Sequence, residues 1–283
     1  MILPDFICPS RVNQHWKYSG LDSPDQCLNK KHFNSYPYTI DYLYNSRGYR
    51  DQEWPTQLNQ LKDAIWCIGD SFTVGLGSPV EHTWPYILQQ HTGQRTINVS
   101  MDGASNNWIA RCVNLIQKEI DPKNIIVMWS YVNRRELENT NLSNEQRRLH
   151  FDKFNLSEDL LNFKSCQSMI NPSNTIQLTI PRYAPEIYNY QPTWENIRGK
   201  DWSKMAPRTL DEMLTLPELI QTELKENFQI WTNLQEWIEQ ESMLLNLEKN
   251  LIKVDRLDLA RDGHHFDLIT SQWVVDQIVP HLN

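Results

Sequence analysis

Short apolar runs alternating with helix-forming segments predict an α/β protein built on a five-stranded parallel sheet. The runs are rich in β-branched residues, each is bounded by turn residues, and the segments between them are long enough for the crossovers that parallel strands require. The chain of 283 residues is large enough to bury one sizeable core.

Residues 1–62 are rich in Asn, Tyr, Pro and charge, with weak periodicity, and predict an irregular N-terminal extension packed on a core that begins at Asp63. The expected strands are DAIWCIGD (63–70), QRTINVSM (94–101), KNIIVMWS (123–130), NTIQLTI (174–180) and LIKVDRL (251–257). EHTWPYILQQHTG reads as a helix with Thr83 as N-cap, Pro85 in its first turn and Gly93 as its stop. ASNNWIARCVNLIQKEIDP places Trp108, Cys112, Leu115 and Ile116 on one helical face and ends at Pro122, and SQWVVDQIVPHL closes the chain. The link before the last strand far exceeds a simple crossover, so an insertion at about 183–247, helix-forming in its second half, is expected to leave the carboxyl edge of the sheet. Open α/β folds bind ligands at that edge, and the insertion reads as a cap or substrate wall.

A net charge of −8 and a pI near 5.5 argue against a sequence-independent binder of nucleic-acid backbones. No run of about 18 apolar residues is present, so no membrane span is expected. The start MILPDFICPSR lacks the basic and apolar regions of a secretory signal. Five cysteines without a CxxC pair read as buried free thiols, with a Cys8–Cys27 bridge as the alternative. Together these features suggest the cytoplasm.

The strongest local signal is IGDSFTVGLG, Ile68 to Gly77. A serine directly after a buried strand, with glycines behind it, exposes its hydroxyl at the sheet edge beside backbone N–H groups able to meet an anion. Alone, it reads equally as an ordinary strand-to-helix turn. The distant ARDGHHFD supplies a partner: Asp262, three residues before His265, can accept from the imidazole Nδ1–H while Nε2 takes a serine proton. His264 competes for the base role, and spacing favours His265. No P-loop, dinucleotide fingerprint or zinc-type spacing occurs, so neither cofactor nor metal is expected.

On Gly69, Asp70 and Ser71 with Gly75 and Gly77, on INVSMDGASN, and on Asp262 and His265 in the DGxH form followed by Phe266, the chain resembles the SGNH hydrolases, or GDSL-type esterases, from about Asp63 onward. The resemblance implies a flavodoxin-like three-layer α/β/α sandwich, a catalytic set of Ser71, Asp262 and His265, and an oxyanion hole formed by the backbone of Ser71 and Gly103 with the Asn133 amide. The third block departs from the family: where GxND is usual, WSYVNRRE has Tyr131 for the glycine and Arg134 for the aspartate, keeping Asn133. NSRGYRD, Asn45 to Asp51, is similar to a stretch that precedes the core in some members. Arg47 or Arg50 of that stretch is a candidate to reach the site, with a surface turn held by Gly48 as the alternative.

These residues imply a serine ester hydrolase working through an acyl-enzyme. Aromatic residues in the insertion (Tyr183, Tyr188, Tyr190, Trp194, Trp202) suit stacking on sugar rings, or equally plain packing. With Arg50 and Arg134 as further substrate contacts, the expected substrate is a short-acyl, acetyl-type ester of a saccharide. A lipase or thioesterase, an acyltransferase with the same triad, and a non-catalytic glycan-binding or structural protein on the same fold are the rival readings.

Overall fold

The protein is described by a computed structural model that covers residues 8–132, 134–136, 156–183, 243 and 246–282. Two short strands, β1 (His15–Trp16) and β2 (Tyr42–Leu43), pair antiparallel in the N-terminal segment, with helix α1 (Lys30–Ser35) between them. The central sheet is formed by β3 (Ile65–Gly69), β4 (Thr96–Ser100), β5 (Asn124–Met128) and β6 (Thr175–Leu178). All are parallel, in the order β4-β3-β5-β6.

Alternation along these strands builds two core layers. Trp66, Ile68, Ile97, Val99, Ile125 and Val127 pack in one cluster with Trp108, Ile109, Cys112 and Ile116 of helix α4 (Asn106–Glu119) and with Phe163 of helix α5 (Leu156–Ser168). Ile65, Cys67, Ile126 and Met128 point the other way. They meet Trp84 and Leu88 of helix α3 (Trp84–Thr92) and Val274, Val275 and Ile278 of helix α6 (Leu268–Ile278). Strands buried on both faces read as continuous apolar runs, as these do, and each fully buried aliphatic side chain contributes roughly 1.5–3 kcal/mol. The result is the expected three-layer α/β/α sandwich. Of the face expected for α4, Leu115 is only partly buried, while Trp108, Cys112 and Ile116 are in the core.

Helix boundaries follow local chemistry. Thr83 is the N-cap of α3 and Gly93 ends it in the left-handed region at φ 68°, but the Thr83 hydroxyl donates to the Val80 carbonyl rather than capping. Ser105 caps α4 by accepting from the Trp108 N–H at 3.1 Å. The Asp258 carboxylate serves the start of α6, accepting from the amides of Ile269 and Thr270.

The fifth strand is a correction. Among the described residues the sheet has four strands, and 251–257 adds only a parallel bridge between Ile252 and Leu178. Beyond it the Val254 N–H goes to the Thr179 hydroxyl, and Pro181 has no N–H to offer. The chain then pairs as β8 (Asp255–Arg256) with β7 (Arg182–Tyr183) in a separate ribbon.

NSRGYRD is largely buried and is not a surface turn. Asn45 and Arg47 to Arg50 are buried, and Gly48, at φ 81°, leaves no room for a Cβ against the Cys8 carbonyl. All five cysteines are free and buried. Most of the insertion lies outside the described residues. No helix among the described residues is long and apolar enough to cross a membrane.

The N-terminal segment is bonded to the loop preceding α6. Asp22, fully buried, accepts from Arg261 at 2.8 and 2.6 Å and from the Tyr42 hydroxyl at 2.6 Å. The Leu28 N–H donates to the Asp262 carbonyl, His32 Nε2 meets the Ala260 carbonyl at 2.9 Å, and the Tyr36 hydroxyl donates to Asp267. Removing one partner of a buried pair leaves the other charge uncompensated, so Asp22→Ala is expected to destabilise the protein by about 3–5 kcal/mol. Chemical denaturation compared with wild type checks this.

Candidate active site

The nucleophile turn is built at the end of β3. A Cβ on Gly69 would collide with the Thr73 side chain and lie 3.0 Å from the Met128 carbonyl, so only glycine lets the chain fold back this tightly. Asp70 then acts as N-cap, its Oδ1 accepting from the Phe72 N–H at 3.1 Å. Ser71 opens the single-turn helix α2 (Ser71–Val74), which ends on Gly75 at φ 72°. The carbonyls left over at that end are taken by Arg50, which donates to Val74 and Gly75 at 3.1 and 2.7 Å and to Ser78 at 2.9 Å. Buried over the Tyr42 ring, Arg50 is therefore a brace behind the nucleophile and not the substrate contact expected from sequence. It also walls a cavity of about 310 Å³ at the outer edge of β4, with Asp51, Tyr86 and Arg95, to which no triad residue contributes.

His265 is delivered by the 260–267 loop. The Ala260 N–H donates to the His265 carbonyl, the Arg261 N–H to Gly77, and Gly263 turns the chain at φ 72°. Asp262 Oδ1 accepts the N–H groups of both His264 and His265, and its Oδ2 lies 2.5 Å from His265 Nδ1. His265 Nε2 lies 2.8 Å from Ser71 Oγ. An ionised Asp262 can only accept, so Nδ1 carries the proton in this pair and Nε2 is left as an acceptor facing the Ser71 hydroxyl. His264 contributes its backbone and sits edge-on to the His265 ring, so the base position belongs to its neighbour. Ser71, Asp262 and His265 are all buried, and Phe72 packs against the His265 ring at 4.6 Å.

Burial would push the Asp262 carboxyl up. The charge and hydrogen bond of His265, helped by the two loop amides, outweigh burial and hold it below its ordinary value.

Among the described residues, no protein acceptor is bonded by the N–H of Ser71 or Gly103. Gly103 is left-handed at φ 71° in the turn between β4 and α4. Asn133, Trp194 and Trp202 lie outside the described residues, as do Tyr188 and Tyr190. Arg134 is described, and it turns inward: its Nη1 bonds Asp70 Oδ2 at 2.9 Å and the Ser130 hydroxyl at 3.1 Å.

Several supports were missed in the sequence. Arg256, with no exposed surface, stacks over Phe72 at 4.7 Å and donates to the His264 carbonyl at 2.7 Å and to the Tyr131 hydroxyl at 3.1 Å. Asn106 bonds Ser130 and Tyr131 with its side chain. Asp22, Tyr42 and Arg261 brace the loops from behind, the Tyr42 hydroxyl accepting the Gly77 N–H at 2.8 Å. None of these has a periodic or motif signal. Asn106 and Arg261 stood inside recognised blocks, but nothing in those blocks marked them as supports.

Fold and site together define a doubly wound α/β protein in which a serine, a histidine and an aspartate are hydrogen-bonded in line at the carboxyl edge of the sheet. Solved structures similar to this chain include a lipase/acylhydrolase from Enterococcus faecalis, with a TM-score of 0.40 and 15% identity over 78% of this chain and 97% of that one. A GDSL-like lipase from Bacteroides thetaiotaomicron shows a TM-score of 0.34 and 9% identity over 80% and 90% of the two chains. A family 2 carbohydrate esterase with a carbohydrate-binding domain, from Corynascus thermopiles (Myceliophthora fergusii), shows 0.37 and 12% over 77% and 66%. No protein-family model matches the sequence, and no curated protein does.

Two outcomes follow from this geometry. A Cβ on Gly77, at φ 76°, would lie 2.9 Å from the Ala260 Cβ and 3.1 Å from the Asp262 Cγ. Gly77→Ala is therefore expected to cost about 1–3 kcal/mol and to disturb the aspartate, which thermal melts and turnover measured together would show. The second concerns acid stability. A carboxyl whose folded pKa lies below its unfolded one adds stability that is present above the unfolded value, 3.8, and lost as pH falls through the folded value. Asp262→Asn should thus flatten the acid limb of the stability curve below about pH 5, read from urea midpoints across the acid range.

Proposed function

We propose that this chain is a serine ester hydrolase of the SGNH type, acting through an acyl-enzyme. The observation that carries the reading is the unbroken line from Asp262 through His265 to Ser71, with contacts of 2.5 and 2.8 Å. Ser71 Oγ attacks the ester carbonyl as His265 Nε2 takes its proton. Asp262 holds the ring in the required tautomer and stabilises the imidazolium. His265 then returns the proton to the leaving alcohol, and water, activated by the same base, releases the acid. The N–H groups of Ser71 and Gly103, which have no protein acceptor among the described residues, are the proposed oxyanion donors, with the Asn133 amide as a third. A short-acyl, acetyl-type ester of a saccharide is the proposed substrate, on the strength of the aromatic residues in the insertion.

Ser71→Ala is expected to abolish ester turnover, and a fluorophosphonate should label Ser71; full activity in the variant, or labelling elsewhere, sinks the mechanism. His265→Ala should lose far more activity than His264→Ala, because only His265 bonds both Asp262 and Ser71. Asn133→Ala should lower kcat by about 10²-fold with a smaller effect on KM, as expected for a donor that acts mainly on the transition state. A panel of p-nitrophenyl esters and acetylated sugars tests the substrate class. Preference for long acyl chains would replace the saccharide ester with a lipid, and transfer to added sugar acceptors would make the enzyme a transferase.

A further inference from the structure

We infer that Arg134 is a positioning residue: it locks the nucleophile turn to the turn after β5 and neutralises Asp70 beside the nucleophile. The inference rests on the serine hydrolase reading above.

Asp70 has no exposed surface and lies one residue before Ser71. Its Oδ1 is committed to the Phe72 N–H, while its Oδ2 accepts from the Ser130 hydroxyl at 2.6 Å and from Arg134 Nη1 at 2.9 Å. The guanidinium lies over the Tyr131 ring, 4.9 Å from its centroid, and its own backbone closes the turn, the Arg134 N–H donating to the Tyr131 carbonyl at 2.8 Å. Asn106 grips the same turn from the other side. Its Oδ1 accepts from the Ser130 N–H at 3.0 Å, its Nδ2 donates to the Tyr131 carbonyl at 2.9 Å, and its N–H donates to the Arg134 carbonyl at 2.9 Å. The segment that carries Asn133 is therefore held at Ser130, Tyr131 and Arg134, by Asp70 from the first block and Asn106 from the second.

The sign of the charge at position 134 matters. The resemblance implies an aspartate at this position, which could offer buried Asp70 no positive charge. Arginine supplies that charge. It also bears on the chemistry: negative charge gathers on the substrate oxygen in the transition state, and an uncompensated carboxylate one residue from the nucleophile would raise that energy. Arg134 cancels that charge, so its loss should fall on kcat more than on KM.

The test compares wild type with R134M, R134K, D70N and the double variant R134M/D70N, on a p-nitrophenyl ester, with kcat expressed per active site titrated by a fluorophosphonate. R134M is expected to lower kcat by about 10- to 100-fold with KM changed less than about threefold. R134K, which keeps the charge without the fork, should fall between R134M and wild type, and it also serves if R134M fails to fold. Adding D70N to R134M should recover about tenfold or more, because it removes the stranded charge and keeps an oxygen for the Phe72 N–H. A merely structural role would reduce the number of titratable sites and leave kcat per site unchanged. Values of kcat per site for R134M, or for R134K where R134M does not fold, within about twofold of wild type overturn the inference, as does a double variant no better than R134M. Either result leaves the hydrolase reading standing. A wild type that neither turns over esters nor labels at Ser71 removes that reading and this inference together.

Discussion

The hydrogen-bonded line from Asp262 through His265 to Ser71 depends on one buried carboxylate outside it. Asp22, in the irregular N-terminal segment, accepts two hydrogen bonds from Arg261 and one from the Tyr42 hydroxyl. Arg261 belongs to the loop that carries Asp262 and His265, and the Tyr42 hydroxyl in turn accepts the Gly77 N–H from the loop behind Ser71. Ser71 and His265 come from positions 194 residues apart, and neither loop is part of a long helix or strand. Without Asp22 both would lose a shared anchor, and Arg261 and the Tyr42 hydroxyl would be left with unmet bonding capacity in a dry region. A hydrogen bond of 2.8 Å tolerates little drift before its geometry is lost. The segment before the sheet thus supports both loops.

The sheet accounts for where the loops meet. In the order β4-β3-β5-β6 the connections leaving β3 and β5 run to opposite faces, which opens a crevice at their carboxyl ends. Ser71 follows β3 and the Ser130–Arg134 turn follows β5, so the topology alone places these two segments side by side. The 260–267 loop closes over them, held by Arg256 through the His264 carbonyl and by the packing of Phe72 against Phe266.

Much of this was readable in the sequence, for identifiable reasons. The first four strands are short β-branched runs between turn residues, and burial on both faces makes such runs conspicuous. Ser71, Asp262 and His265 stand in compact motifs whose spacing reflects geometry: the carboxylate lies three positions before the imidazole it bonds. The fifth strand was overread because an apolar run does not reveal that Pro181 lacks a donor or that Thr179 captures the Val254 amide. Arg50 was misassigned because an arginine near a site reads as a ligand contact, whereas its bonds to the carbonyls of Val74, Gly75 and Ser78 follow from a helix end brought near only by folding. Asp22 and Arg256 were invisible for the same reason: single charged residues in irregular stretches carry no period, and their partners lie far away in the chain.

The pairing of buried charges separates support from chemistry. Asp22, Asp70 and Asp262 each have no exposed surface, and each is bonded to a group that can carry positive charge. For the first two the partner is arginine, whose charge does not change with pH in the accessible range, so those pairs are constant. For Asp262 the partner is histidine, the side chain whose charge changes most readily near neutrality. An arginine facing Asp262 would bind it as well but could accept no proton from Ser71, while a histidine facing Asp22 or Asp70 would let the support weaken whenever it lost its charge. The distribution of partners therefore divides the three: two carboxylates face a charge that stays constant, and the third faces the partner that the proposed mechanism needs as a proton acceptor.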